Sequence, residues 1–208
     1  MDHVHVIDHP VLQRDLTVLR RADTTYGVFR STLSDVSSIL AYEALRGIRM
    51  REIRIETPLE ETAGFEVAES VVVVPILRAG LGMVDGFVRF LPEVRIGHLG
   101  MYRDEETHEP VDYYSSIPSQ IDESLVFVVD PMLATGGSAA GAISHLKQVG
   151  ARSIVLVTLV SAPAGISHVY SKHPDVTLVT AVIDRELDGN AYIRPGLGDA
   201  GDRIFGTN

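Results

Sequence analysis

The chain has 208 residues, 45% of them hydrophobic and 22% charged, with a formal charge of −10 at pH 7 and no cysteine. That length fits one generous α/β domain that buries roughly 70% of its unfolded surface, and the missing cysteine excludes disulfides, thiolate chemistry and cysteine-based zinc sites. The acidic balance disfavours broad nucleic-acid binding, yet leaves room for one locally positive site that takes a small phosphorylated ligand.

Residues Met1 to Asp8 carry two histidines and two aspartates, without the basic start and apolar core of a signal peptide. No run approaches the ~20 apolar residues needed to span a bilayer. The longest, Val71 to Leu77, contains a proline. No membrane partner and a cytoplasmic residence are therefore expected. Along the chain, Pro10 to Arg20 reads as a helix with proline in its first turn. A longer helix is expected over Thr32 to Gly47, with Leu33, Val36, Leu40, Ala44 and Leu45 as its apolar stripe and Gly47 as its stop. The charge-rich run Glu52 to Glu61 reads as a solvated strand face and turn.

From there strand-like and helix-like segments alternate. Strands are expected at Ser70 to Pro75, Val94 to Met101, Leu125 to Val129, Ile154 to Val160 and Leu178 to Ile183. Helices are expected at Met83 to Phe90, Ser138 to Val149 and Pro163 to Ser171. Unbroken apolar strands between helices predict an α/β fold, a mainly parallel sheet flanked by helices on both faces, over a single domain 1–208. Ligands in such folds gather beyond the carboxyl ends of the strands. The loops after Val74, Met101, Val129 and Ile183 are the places to search.

The stretch Leu125 to Ser138 reads LVFVVDPMLATGGS. A buried strand ends in Asp130, and the turn Ala134-Thr135-Gly136-Gly137-Ser138 leads into a helix. Glycines let main-chain N–H groups approach an anion, and the helix start adds unpaired donors and a favourable dipole. Thr135 and Ser138 add hydroxyls, and Asp130 is placed to accept bonds from sugar hydroxyls. By itself Thr-Gly-Gly-Ser fits an ordinary strand-to-helix turn with Ser138 as N-cap equally well. The apolar strand ending in Asp decides for a phosphate monoester. A Walker loop needs a lysine after its glycine, and none is present.

This segment resembles the phosphoribosyl diphosphate (PRPP) loop of the type I phosphoribosyltransferase family, in which an apolar strand and two acidic residues precede Thr-Gly-Gly-Thr or Ser. Pro131 stands here at the second acidic position, a departure associated with the uracil branch of the family. The resemblance implies that residues Asp130, Pro131, Met132, Leu133, Ala134, Thr135, Gly136, Gly137 and Ser138 contact PRPP. A second motif, VVVVPILRAGLGM over Val71 to Met83, offers Arg78 and glycines for two more phosphates. Arginine's planar fork suits phosphate oxygens, and in the resemblance this loop binds the diphosphate.

Two glycine patterns imitate a dinucleotide fingerprint. Gly80, Gly82 and Gly86 fall short because Asp85 occupies the third glycine position. Gly196, Gly198 and Gly201 match but follow Arg194-Pro195 rather than a strand. The stretch AYIRPGLGDAGDRIFGT, Ala191 to Thr207, is glycine-rich and reads as too irregular for a helix or strand. It closely matches the uracil-recognising element of uracil phosphoribosyltransferases, here about 184–208. With it the resemblance runs from Asp8-His9-Pro10 to Phe205-Gly206-Thr207. It implies that main-chain groups at Ile193, Gly198, Asp199 and Ala200 hold uracil.

Tyr102 to Gln120 is polar and acidic, with Glu105, Glu106, Glu109 and Asp112, and reads as a loop or β-arm. The resemblance places a PRPP-contacting arginine at Arg103, on a segment that either closes over substrate or reaches a second subunit. His98, His108, His145, His168 and His173 lack metal-ligand spacing. No direct protein metal site is expected, and Mg²⁺ is implied mainly through PRPP and water. The implied reaction joins uracil and PRPP to give UMP and diphosphate, with Asp130, Arg78, Arg103 and Asp199 as its catalytic set. Asp199 has three open roles: binding a ribose hydroxyl, binding a metal-bound water, or helping the base lose its proton. The family generally forms dimers or larger assemblies, and GTP activates some relatives. Two alternatives stand beside this reading: transfer to another nucleobase, and a non-catalytic nucleotide- or RNA-binding regulator on the same fold.

Overall fold

Side chains on successive strand residues point to opposite faces, so an apolar run buried on both sides demands cover on both sides. The chain meets that demand in a computed structural model that describes residues 3–103 and 110–207. In chain order its first elements are β1 (Val4–Val6), α1 (Pro10–Arg20), α2 (Tyr26–Ala44), β2 (Met50–Glu56) and β3 (Glu61–Val67). Then come β4 (Ser70–Leu77), α3 (Leu81–Val88), β5 (Arg95–Ile96), β6 (His98–Arg103) and β7 (Pro110–Ser116). The chain continues with β8 (Ser124–Leu133), α4 (Gly137–Gln148), β9 (Ser153–Ser161), α5 (Pro163–Lys172) and β10 (Thr177–Ile183). It ends with β11 (Glu186–Leu187), β12 (Ile193–Arg194) and α6 (Ala200–Phe205).

The main sheet runs β1-β10-β9-β8-β4-β6-β7, with β5 also against β4. Every pairing in it is parallel except β6 with β7. Along β4 and β8, Val71, Val73, Phe127 and Val129 join a core with α1, α2, α3 and α6. Their alternates Val72, Val74, Val126 and Val128 join the core under α4 and α5. On α2, Leu33, Val36 and Leu40 are no more than 1% exposed, a burial that contributes roughly 1.5–3 kcal/mol each.

Several boundaries depart from the sequence expectation. The second helix starts at Tyr26, six residues earlier than Thr32, because Phe29 completes its buried stripe. It ends at Ala44, and Leu45–Gly47 close it as a 3₁₀ turn. Val4–Val6 form an edge strand on β10. The expected strand at Val94 to Met101 is broken into β5 and β6, and β6 turns back antiparallel as β7. That gives the β-arm reading of 102–120. Its tip, 104–109, with Glu105, Glu106, His108 and Glu109, lies outside the described residues. Glu52 to Glu61 form most of the β2–β3 hairpin, detached from the main sheet.

Two corrections matter for function. β8 does not stop at Val129 but runs through Pro131 to Leu133, pairing Asp130 with Thr158 and Met132 with Val160. Proline is tolerated there because β4 has already stopped pairing, at Val129. The C-terminal stretch is not without regular structure. It holds the β11–β12 pair and the α6 helix, whose Ile204 is buried against the first core. Asp199 makes that helix possible in so glycine-rich a stretch, by accepting the Asp202 N–H as its N-cap at 2.9 Å.

Candidate active site

The carboxyl ends of β4, β8 and β10 deliver three loops to one edge of the sheet, and α6 folds back over it. At β8, Gly136 takes φ +81° and caps α4, a conformation that an L side chain adopts only with strain. A Cβ on Gly136 would lie 2.6 Å from the Gly165 carbonyl oxygen, and one on Gly165 would lie 2.5 Å from that of Ala134. The turn and the first turn of α5 therefore touch backbone to backbone, and the Ala162 N–H donates to the Leu133 carbonyl at 2.8 Å. This braces the turn against the start of α5. Gly165 is a residue that motif reading missed. Its only sequence signal was a glycine two residues after a helix-starting proline.

Within the predicted phosphate stretch, Ser138 is exposed and Thr135 and Gly137 are partly so, while Pro131 and Leu133 are buried. Leu133 belongs to the core under α4 and α5. It and Pro131 can offer a ligand main-chain groups only. Asp130 is mostly buried, and its carboxyl is pushed up to about 7. Lost hydration is the main cause. The Met132 N–H, donating to Asp130 Oδ1 at 3.2 Å, opposes the rise, and the neighbouring charge of Asp199 adds to it. Two acids 69 positions apart in sequence therefore lie within reach of each other's charge.

The β4 loop arrives beside them. A Cβ on Gly80 would fall 2.4 Å from the carbonyl oxygen of Val129, so only glycine lets the Arg78 turn sit against β8 just before Asp130. Both the Leu77-Arg78 and the Arg194-Pro195 peptides are cis. Arg78 is half exposed and leans on the C-terminal helix. Its guanidinium lies 3.4 Å from Thr207 Oγ1, 3.6 Å from Asp202 Oδ1 and 5.6 Å from the centre of the Phe205 ring. Arg78, Asp130 and Asp199 thus converge. Arg103 is the last residue of β6, which pairs with β4 where that strand approaches Arg78.

Of the positions expected to read the base, Gly198 and Asp199 are exposed, whereas Ile193 and Ala200 are each 3% exposed. Ile193 contributes its side chain to the first core. The glycine patterns that imitate a dinucleotide fingerprint have other uses. A Cβ on Gly86 would meet the Ser37 backbone at 2.5 Å, so it serves the contact of α3 with α2. Gly196 and Gly198 carry positive φ in the turn before α6.

The donor set fits a hard cation. Asp130 and Asp199 are close enough to feel each other's charge, and carboxylate oxygens suit Mg²⁺ that keeps water and phosphate ligands. Among the described residues no group of three or more acids, histidines or cysteines forms a metal cluster. No helix among them is long and apolar enough to cross a membrane.

Comparison with known proteins agrees with this geometry. A family model described as uracil phosphoribosyltransferase matches residues 6–207. A protein named uracil phosphoribosyltransferase from Salinibacter ruber is 66% identical over 207 residues, covering 100% of this chain and 99% of its own. One of the same name from Acidovorax sp. is 51% identical over 208 residues, with 100% of each chain covered. Among solved structures, the AQ2163 protein from Aquifex aeolicus superposes with a TM-score of 0.91 at 33% identity, covering 97% of both chains. An adenine phosphoribosyl transferase from Trypanosoma brucei superposes with a TM-score of 0.61 at 12% identity, covering 96% of this chain and 89% of its own, a likeness of fold. A glycine-braced turn beside a strand aspartate, an arginine loop at its flank and a match along nearly the whole chain place this protein in the uracil phosphoribosyltransferase family.

Proposed function

We propose that the protein transfers the phosphoribosyl group of PRPP to uracil, giving UMP and diphosphate in pyrimidine salvage. One observation supports the reading most: the Arg78 loop packs on β8 just before Asp130, Asp199 lies within reach of Asp130's charge, and the Thr135–Ser138 turn follows on the same strand, and to that edge we assign a phosphate cradle, a ribose ligand and a diphosphate cation. The residue roles follow from the chemistry. Ala134 to Ser138 hold the 5-phosphate with main-chain N–H groups and hydroxyls. Asp130, ionised once ligand is bound, accepts from the ribose hydroxyls. Arg78 and Arg103 neutralise the diphosphate as the C1–O bond breaks and positive charge grows on the ribose. Mg²⁺ would be held mainly by PRPP and water, with Asp199 placed to bind one metal-bound water, and the ion would supply further charge neutralisation at the diphosphate.

The base site uses the main chain. Uracil presents an acceptor, donor, acceptor edge, which N–H and C=O groups at Ile193 and Gly198 to Ala200 match. Cytosine presents a donor in place of one acceptor, and the unpaired buried groups that result penalise it. The experiment is direct: incubate the protein with PRPP, Mg²⁺ and each common nucleobase, and identify the nucleotide. UMP alone supports the reading, and nucleotide from a purine or orotate, or no diphosphate release, overturns it.

We propose in addition that the protein works as a homodimer or larger assembly. The β2–β3 hairpin supports this. It exposes Met50, Ile55, Leu59, Phe65 and Val67 on a two-stranded unit, which is marginal in water on its own. Light scattering tests it: a monomer at working concentration removes the proposal. Activation by GTP rests on the family resemblance alone.

A further inference from the structure

Arg20 and Asp184 stand 164 positions apart, yet they meet as a two-pronged ion pair, Nη1 to Oδ2 at 2.8 Å and Nη2 to Oδ1 at 2.7 Å. Asp184 follows β10 and is 5% exposed. Burying such a pair costs desolvation, and apolar replacements of similar volume are often as stable. Stability is therefore a poor reason for the pair. The third partner supplies a better one. Asp184 Oδ2 accepts the N–H of Gly196 at 2.8 Å, and Arg20 Nη1 donates to the carbonyl of the same Gly196 at 2.9 Å.

One residue is thus gripped by both its main-chain groups. Gly196 has φ +59°, and a Cβ there would lie 2.1 Å from the Ile193 carbonyl oxygen. It sits between Ile193 and Gly198–Ala200, the stretch whose backbone reads the base. The far end of that stretch has its own clasp. Arg203 donates to the carbonyl oxygens of Leu19, of Leu197 at 2.8 Å and of Arg21 at 2.7 Å, and lies 4.4 Å over the Phe29 ring. Both clasps close on the carboxyl end of α1, an element that holds none of the residues assigned to PRPP or uracil.

We infer that Arg20 and Asp184 are positioning residues for base specificity: they fix the Gly196 main chain, and through it the polar edge that distinguishes uracil from cytosine. The inference rests on the reading of 193–200 as the base site. Neither side chain touches a reactant. Their effect is rigidity, because a main-chain edge rejects a mismatched base only while it cannot rotate away from the mismatch.

The test uses the full chain as wild type, Asp184→Asn, Arg20→Gln and the double variant. It measures KM for uracil and for PRPP separately, kcat, the ratio of uracil to cytosine turnover, and Tm by calorimetry. Either single variant should raise KM for uracil about 10- to 100-fold while KM for PRPP stays within about twofold. The uracil-to-cytosine ratio should fall. The double variant should be no worse than the worse single, because the two side chains act as one clasp. A lower Tm with an unchanged uracil KM, or an equal rise in both KM values, overturns the inference. If Asp184→Asn is not recovered folded, Arg20→Gln, whose parent side chain is 23% exposed, carries the same decision. A wild type that makes no UMP sinks the base-site reading itself. An active wild type whose variants show no KM split sinks only the positioning role.

Discussion

The phosphate end and the base end of the site are built by opposite means. The phosphate end is contiguous. Asp130 to Ser138 supply strand, turn and helix start, and the bracing from Gly165 is backbone against backbone. The proposed base end joins the short β12 to α6 through a glycine turn and is held by side chains: Arg20 and Asp184 at Gly196, Arg203 reaching back to Leu19 and Arg21, and Arg30 donating to the Ile204 carbonyl at 2.9 Å. A contiguous cradle can be strong without long-range help because glycine dihedrals and a helix dipole already aim its donors. A recognition edge built on a two-residue strand and a six-residue helix borrows its rigidity from such clasps.

Arg78 bridges the two ends through Asp202, Thr207 and Phe205, so its loss should have the largest effect. Arg78→Ala should lower kcat/KM for PRPP by about 10²–10³-fold, the scale of a lost charge-stabilising donor. Unchanged turnover and PRPP affinity would remove Arg78 from the diphosphate site. Next is Gly136→Ala, which adds a Cβ at φ +81° against Gly165. Displacement of the cradle should cost about 10²-fold in turnover. Here KM for PRPP should move and KM for uracil should not, the mirror image of the Arg20 and Asp184 variants. Movement of both would blur the contrast between the ends.

A middle-sized effect is expected from pH. Free Asp130 titrates near 7, while bound PRPP and Mg²⁺ favour its ionised form. PRPP affinity should then weaken below pH 7 by up to about tenfold per unit, as one proton is bound when ligand leaves. The stability sign is the reverse of a salt-bridged acid. With its folded pKa raised above the unfolded value, the native protein binds more protons through the window from about 4 to 7, so stability falls as pH rises across it. Asp130→Asn should therefore raise Tm of the ligand-free protein at pH 8 but not near pH 4, while abolishing PRPP uptake by calorimetry. A variant destabilised at pH 8 contradicts the assigned burial.

Asp199 should show the smallest effect, and the most divided one. Asp199→Ala removes the α6 cap and should cost about 1 kcal/mol of stability. Asp199→Asn keeps a capping oxygen. If Asp199→Asn leaves kcat unchanged, the residue is a cap and no catalytic role remains.

Legibility in the sequence followed the same division. The apolar runs at β4, β8, β9 and β10 and the helices between them were readable because period-2 burial and helix-strand alternation are local patterns. The glycine turn into α4 and the arginine loop into α3 were readable as strand-to-helix turns because their glycines stand at close spacing after apolar runs. The reach of β8 to Leu133 was hidden by Pro131, whose cost depends on whether a neighbouring strand still needs its N–H. Helix α6 was hidden by Gly201 and the glycines that flank it. Asp199 capping and burial of Ile204 outweigh their low propensity, and burial is a tertiary fact. Gly165, Arg20 and Asp184 had no motif to mark them.

The order of residues alone determined the fold class and the covered parallel sheet, since each depends on interactions within about a dozen positions. Only the folded chain decided that Asp130 and Asp199 share a field, that Arg78 rests on α6, and that a pair 164 positions apart grips Gly196. Such contacts arise where chain ends meet over one sheet edge. Their energies depend on dehydration and exact neighbours, which no stretch of sequence carries by itself.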